Sequence, residues 1–135
     1  MKRFDLNSSN LKNLADKAVI VTGGGSGIGQ SICERLASNG ANTFVLDLDK
    51  STAQGTAVNI VDAGGQAMAY EVDVTDSGQV TDVVREISQT TTIDILVNNA
   101  GIAHIGSLET TSGDDLDRLY QVHIKGVYNL SLIHI

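Results

Sequence analysis

An apolar, β-branched stretch, Ala18-Val19-Ile20-Val21-Thr22, runs directly into Gly23-Gly24-Gly25-Ser26-Gly27-Ile28-Gly29. So many glycines carry a heavy entropic cost for a mere connection. Their chemical use is to let an anion reach the backbone. A helix that begins here offers unpaired N–H groups and the positive end of its dipole, and side chains in place of the glycines would block a phosphate. The order of the glycines separates three phosphate motifs. A nucleotide-triphosphate loop, G-x-x-x-x-G-K-[ST], fits Gly24 to Ser31 in spacing, but Gln30 stands where its Lys must be. G-x-G-x-x-G fails in every register between Gly23 and Gly29. G-x-x-x-G-x-G fits as Gly23, Gly27 and Gly29, preceded by Thr22, with Ser26 and Ile28 in the intervening positions. The expected ligand part is the pyrophosphate of a dinucleotide.

Three further groups suit the rest of such a ligand. Asp47 closes a second apolar run, where an acid accepts from the adenosine ribose 2′-hydroxyl and repels a 2′-phosphate. Leu48 and Asp49 follow it instead of an Arg, which predicts NAD in preference to NADP; the competing reading is that Asp47 or Asp49 only caps a helix. Asp73-Val74 closes a third run, where a carboxylate suits an adenine amino group or simply ends a strand. Asn98-Asn99-Ala100-Gly101 closes a fourth. Amides there can tie strand ends together, and Ala and Gly let a ribose pass close to the backbone; read alone, the four residues also suit a turn.

The elements that must position these groups alternate. Strands are expected at Ala18–Thr22, Thr43–Leu46, Ala67–Val72 and Ile93–Val97. Between them, Ile28, Ile32, Leu36 and Ala37 form a helical stripe ending at Gly40, Ser51 to Ala63 a second helix, and Val80, Val83, Val84 and Ile87 a third. Ser112 and Asp115 resemble a capping box that opens a last helix with Leu116, Leu119, Tyr120, His123, Val127 and Leu130 on one stripe. Alternating β and α with strands apolar throughout predicts an α/β fold whose parallel sheet is covered on both faces.

Composition narrows the function class. With 135 residues, 41% of them hydrophobic, and a net charge of −7, the chain reads as one domain over 1–135, with an irregular extension over 1–14. No Lys/Arg run is present, which argues against nucleic acid and against an anionic membrane surface. No apolar span or signal-peptide core is found, so a cytoplasmic location is expected. The single Cys33 sits in an apolar helical stripe and reads as a buried small hydrophobe. His104 and His134 are assigned no role, and three scattered His with one distant Cys predict no metal site.

Together, Thr22-Gly23-x-x-x-Gly27-x-Gly29, Asp47, Asp73-Val74 and Asn98-Asn99-Ala100-Gly101 strongly resemble the short-chain dehydrogenase/reductase family, over roughly residues 15 to 130. The resemblance implies a Rossmann-type doubly wound parallel sheet, here truncated after about four strands and the following helix of a domain of about 250 residues. It implies hydride transfer between NAD(P) and an alcohol or carbonyl of sugar, polyol or ketoacyl type. It also implies a homotetramer or homodimer for the full-length form. The cofactor residues it implies are Gly23, Ser26, Gly27, Ile28, Gly29, Asp47, Leu48, Asp73, Val74, Asn99, Ala100 and Gly101.

The resemblance breaks where chemistry is done. The family works with a Ser, a Tyr and a Lys, the last two spaced Y-x-x-x-K, and no Tyr in this sequence has a Lys four residues on. Tyr120 with Lys125 has the wrong spacing and should face different sides of a helix. Val122-His123-Ile124-Lys125-Gly126 resembles the family's V-N-x-x-G segment, with His123 where an Asn supports a relay water. His123 reads as a satisfied core histidine, as a sequence error, or as a relay group. Ser131 to Ile135 has no turn or cap, which suggests a truncated reading frame. The leading expectation is therefore an NAD-dependent dehydrogenase in incomplete, inactive form. The alternative is a non-catalytic NAD-binding module. An S-adenosylmethionine methyltransferase is disfavoured, because Val21-Thr22 replaces the acid such enzymes place before the first glycine.

Overall fold

The computed structural model describes residues 14–132. Apart from Leu14, the expected irregular extension therefore lies outside the described residues, as does His134. The elements are β1 (Ala18–Thr22), α1 (Gly27–Ser38), β2 (Asn42–Asp47), α2 (Lys50–Asp62), β3 (Gln66–Glu71), α3 (Ser77–Thr90), β4 (Ile93–Val97), α4 (Gly113–Tyr120), a π-helical stretch (Gln121–Gly126) and α5 (Val127–Ser131). The strands form one parallel sheet in the order β3-β2-β1-β4. The chain winds outward from β1 to β3, then crosses back to β4. This is the Rossmann-type doubly wound arrangement, with its change of direction between β1 and β4.

Side-chain alternation along the strands builds a layer on each face. Val19, Val21 and Val45 pack with Cys33 and Ala37 of α1 and with Ala53 and Ile60 of α2. Ile20, Phe44 and Leu46 point the other way, against Val80, Val84 and Ile87 of α3 and Leu130 of α5. All of β1 is buried, as expected of a central strand. Both faces are covered as expected, and the cover thins at the edge strands. On β3 exposed and half-buried residues alternate, with Met68 53% exposed, and β4 is only half-buried. Continuous apolar character marks strand material; it does not say which strands end up outermost.

Helix starts follow their capping chemistry. Asp49 accepts from the Ser51 and Thr52 N–H groups at the start of α2, Asp76 from Gly78 and Gln79 at α3, and Ser112 and Asp115 form the expected capping box at α4. Asp49 is thus the helix cap, and Asp47 is not. Ser26, at the start of α1, makes no side-chain cap.

Two stripes read from periodicity depart from the expectation. Ile28 opens the α1 stripe but is 76% exposed; burial runs through Gly29, Cys33 and Ala37 instead. The last helix is not one regular helix, since Gln121–Gly126 winds as π-helix between α4 and α5. On its expected buried stripe Leu116 and Tyr120 are exposed and only Leu130 is fully buried. Periodicity identifies an apolar face, but burial also needs a facing element. The segment is held instead by Gly126, where an added Cβ would come within 2.8 Å of Val74 Cγ2, and by the Asn129 amide, which donates to the Val74 carbonyl at 2.9 Å.

Candidate functional site

At the C-terminal ends of the strands, where the winding changes direction between β1 and β4, lies a cleft of about 430 Å³. Gly23, Ser26, Gly27, Ile28 and Gly29 line it from the loop after β1, and Asp47 and Leu48 from the end of β2. Asp73 and Val74 come from beyond β3, and Asn99, Ala100 and Gly101 from beyond β4. Every residue expected at a cofactor site thus borders one cavity. Val72, Ile102 and Val122 line it too and were missed from sequence. Val72 and Ile102 adjoin expected residues and could have been found by extending each motif one position; Val122 required knowing how the last helix docks.

The glycine loop is shaped by close approach. Gly29 packs so tightly on the Gly23 carbonyl that a Cβ there would collide with it. Gly27 has φ +54°, and an added Cβ would meet no atom within 4 Å, so this glycine leaves its side of the cleft open. Just beyond, α1 begins without a side-chain cap, and its first-turn N–H groups have the orientation that receives an anion.

The acids are held by backbone donors. Asp47 Oδ2 accepts from the Gly25 N–H at 2.9 Å and Oδ1 from the Asp49 N–H at 3.0 Å. Each oxygen keeps a lone pair for a further donor. Asp73 Oδ1 accepts from the Thr75 N–H at 2.9 Å and its hydroxyl at 2.7 Å, so this acid also turns the chain after β3.

Asn99 ties two strand ends, as its type suggested. Its side-chain amide donates to the Thr22 and Gly23 carbonyls at 3.0 and 3.1 Å. In return the buried Thr22 hydroxyl oxygen accepts from the Asn99 and Ala100 N–H groups at 3.1 and 3.0 Å. Those bonds rule out a free turn and fix β4's exit against the glycine loop.

Residues 17–134 match the family model for short chain dehydrogenases. The chain belongs to the short-chain dehydrogenase family. Among relatives, cyclopentanol dehydrogenase of Comamonas testosteroni is 33% identical over 114 residues, covering 84% of this chain and 46% of that protein. A 3-ketoacyl-(acyl-carrier-protein) reductase from Brucella melitensis, solved with NADH, superposes with TM-score 0.83 at 35% identity, over 90% of this chain and 50% of its own. A metagenomic short-chain oxidoreductase in complex with NADP gives TM-score 0.82 at 31% identity, over 87% of this chain and 54% of its own. The chain spans 19% to 47% of the length of the curated relatives it matches.

His123, expected where the family has an Asn, is exposed, which corrects the core reading. Its Nε2 lies 2.6 Å from the Ile102 carbonyl oxygen and 3.3 Å from the Ile102 N–H nitrogen. One nitrogen cannot donate and accept at once; at 2.6 Å from an oxygen it carries the proton and donates. The ring covers Gly101, where a Cβ would come 2.9 Å from His123 Cε1. Tyr120 and Lys125 are both exposed, with the π-helical stretch beginning just after Tyr120. No hydrogen bond joins them among the described residues. His104, assigned no role from sequence, pins the loop after β4 to α4: Nε2 is 3.1 Å from Thr111 Oγ1 and Nδ1 is 3.7 Å from Asp115 Oδ1.

Proposed function

We propose that this chain is the cofactor-holding part of an NAD-dependent oxidoreductase acting between an alcohol and a carbonyl. The observation that carries the reading is the convergence of all twelve expected residues on one cleft at the sheet's change of direction. The open side of Gly27 and the uncapped start of α1 suit a pyrophosphate. Asp47, clamped by two N–H groups, suits a ribose 2′-hydroxyl and opposes a 2′-phosphate. Asp73 suits the adenine side, and Ala100 and Gly101 leave a low wall for the second ribose. When bound, the nicotinamide ring supplies the hydride acceptor or donor.

These residues bind and orient; none is placed to move the substrate's hydroxyl proton. His123 Nε2 is committed to Ile102, and no Tyr is followed by Lys at four positions. The 135-residue chain therefore binds cofactor and turns over nothing by itself, and the substrate, a small alcohol or ketone of sugar, polyol or ketoacyl type, is met by residues outside it. Residues 1–135 form a single domain, the whole protein is a homodimer or homotetramer, and its place is the cytoplasm. Among the described residues no helix is long and apolar enough to cross a membrane.

The test is calorimetric titration of the chain with NAD and with NADP. Tighter NAD binding is expected. Tighter NADP binding overturns the cofactor assignment, and no binding of either overturns the function.

A further inference from the structure

We infer that Gly25 is a positioning residue for cofactor choice: its backbone N–H fixes the Asp47 carboxylate in the orientation that accepts a ribose 2′-hydroxyl and refuses a 2′-phosphate. This rests on the reading of the cleft as an NAD site. A carboxylate selects against phosphate by charge only while it stays in place. An acid free to rotate about its side-chain bonds turns away and relieves the repulsion. Here it is held from two sides, by Gly25 N–H on Oδ2 at 2.9 Å and Asp49 N–H on Oδ1 at 3.0 Å. Hydrogen bonds to a charged acceptor are the strong ones.

Glycine at this position is required by space. Its φ lies outside the left-handed region that favours glycine. A Cβ would run into the Thr52 hydroxyl and come within 2.9 Å of both the Ala53 nitrogen and Asp47 Oδ2 itself. Any side chain therefore pushes the loop, the carboxylate and the start of α2 apart. The same loop carries Gly27, so the segment that faces the phosphates and the acid that faces the ribose are joined through one peptide N–H. Pyrophosphate binding and ribose selection are thereby coupled, and Gly25, which does not line the cleft, governs the second from outside it.

The experiment compares 5′-AMP with adenosine 2′,5′-bisphosphate, then NAD with NADP, on wild type, Gly25→Ala and Gly25→Ala/Thr52→Ala. The double variant removes the hydroxyl that the new methyl would strike. Both variants should lose about tenfold (1.4 kcal/mol) of the wild-type preference for the unphosphorylated ribose, with the 2′-phosphorylated ligands weakened less or not at all. Folded variants that keep the wild-type ratio overturn the inference and leave the NAD reading standing. Wild type without an NAD preference overturns both. Equal weakening of all four ligands shows a merely structural role and also overturns it. Amide exchange gives a readout on a chain that keeps its glycine: in Asp47→Ala the Gly25 N–H should exchange at least tenfold faster, and unchanged protection refutes the link.

Discussion

Replacing Thr22 by Val changes one atom group and almost no volume, yet it should cost the chain much of its stability. The Thr22 residue is 2% exposed, and its hydroxyl oxygen is the acceptor for two backbone donors, Asn99 N–H and Ala100 N–H. Valine fills the same space but accepts nothing, so both donors are left half-buried without a partner. At about 1–3 kcal/mol for each orphaned group, the loss is about 2–6 kcal/mol. A domain holds only about 5–15 kcal/mol in total. With a urea slope of about 2 kcal/mol/M, a loss of 3 kcal/mol moves the midpoint down by about 1.5 M. Thr22→Ser keeps the acceptor and sacrifices one methyl, about 1 kcal/mol. Urea unfolding followed by far-ultraviolet circular dichroism separates the two. Val and Ser variants that fall by the same amount, or a Val variant that stays within about 0.5 kcal/mol of wild type, the range of an ordinary surface change, would refute this role for the Thr22 hydroxyl.

Other consequences are testable on the same protein. Asp47→Ala with Leu48→Arg should shift preference toward NADP by at least tenfold in a paired titration, since a repelling charge is replaced by an attracting one. Burial pushes the Cys33 thiol from its ordinary 9.0 up to about 12, so a disulfide reagent at pH 8 should label it only after unfolding. The unfolded chain also releases that proton first. Stability is therefore undiminished below pH 9.0 and declines as pH rises toward about 12, and Cys33→Ala should lose that part of the slope in alkaline urea melts. Sugars and polyols offered with NAD, and ketoacyl esters offered with NADH, should remain unconverted; turnover that vanishes in Tyr120→Phe would show that this tyrosine does the proton chemistry. Thermal unfolding of the 135-residue chain should be marginal and rise with NAD, whereas a cooperative monomeric transition above about 60 °C without cofactor contradicts the exposed β4 edge as a liability.

The parts of this molecule legible in its sequence are those fixed by local rules. Glycine order, a capping Ser three residues before Asp115, and runs such as Ala18 to Thr22 each act within a few residues, and each lies where it was expected. What escaped depends on distant partners. Nothing in Gln121 to Gly126 announces a π-helical turn, which arises where the helix must bring Gly126 against Val74 and still deliver Asn129 to the Val74 carbonyl. The stripe from Leu116 to Val127 carries core-like spacing, and spacing is blind to whether anything packs on it. The core reading of His123, one of three open in the sequence, rests on the same stripe, whereas the residue is exposed and its ring lies over Gly101.

The helix that starts beside the cleft has a practical bearing on every affinity measured for this chain. α2, α3 and α4 each bring a carboxylate or hydroxyl to their own first turn; α1 does not. Its leading N–H groups therefore answer to the solvent's composition. Sulfate or phosphate from a buffer competes for them, so dinucleotide affinities taken in phosphate will read weak, and melting points taken in sulfate will read high by more than general salting-out supplies. For this fold the choice of buffer anion is itself an experimental variable, and constants from different laboratories become comparable only when it is held fixed.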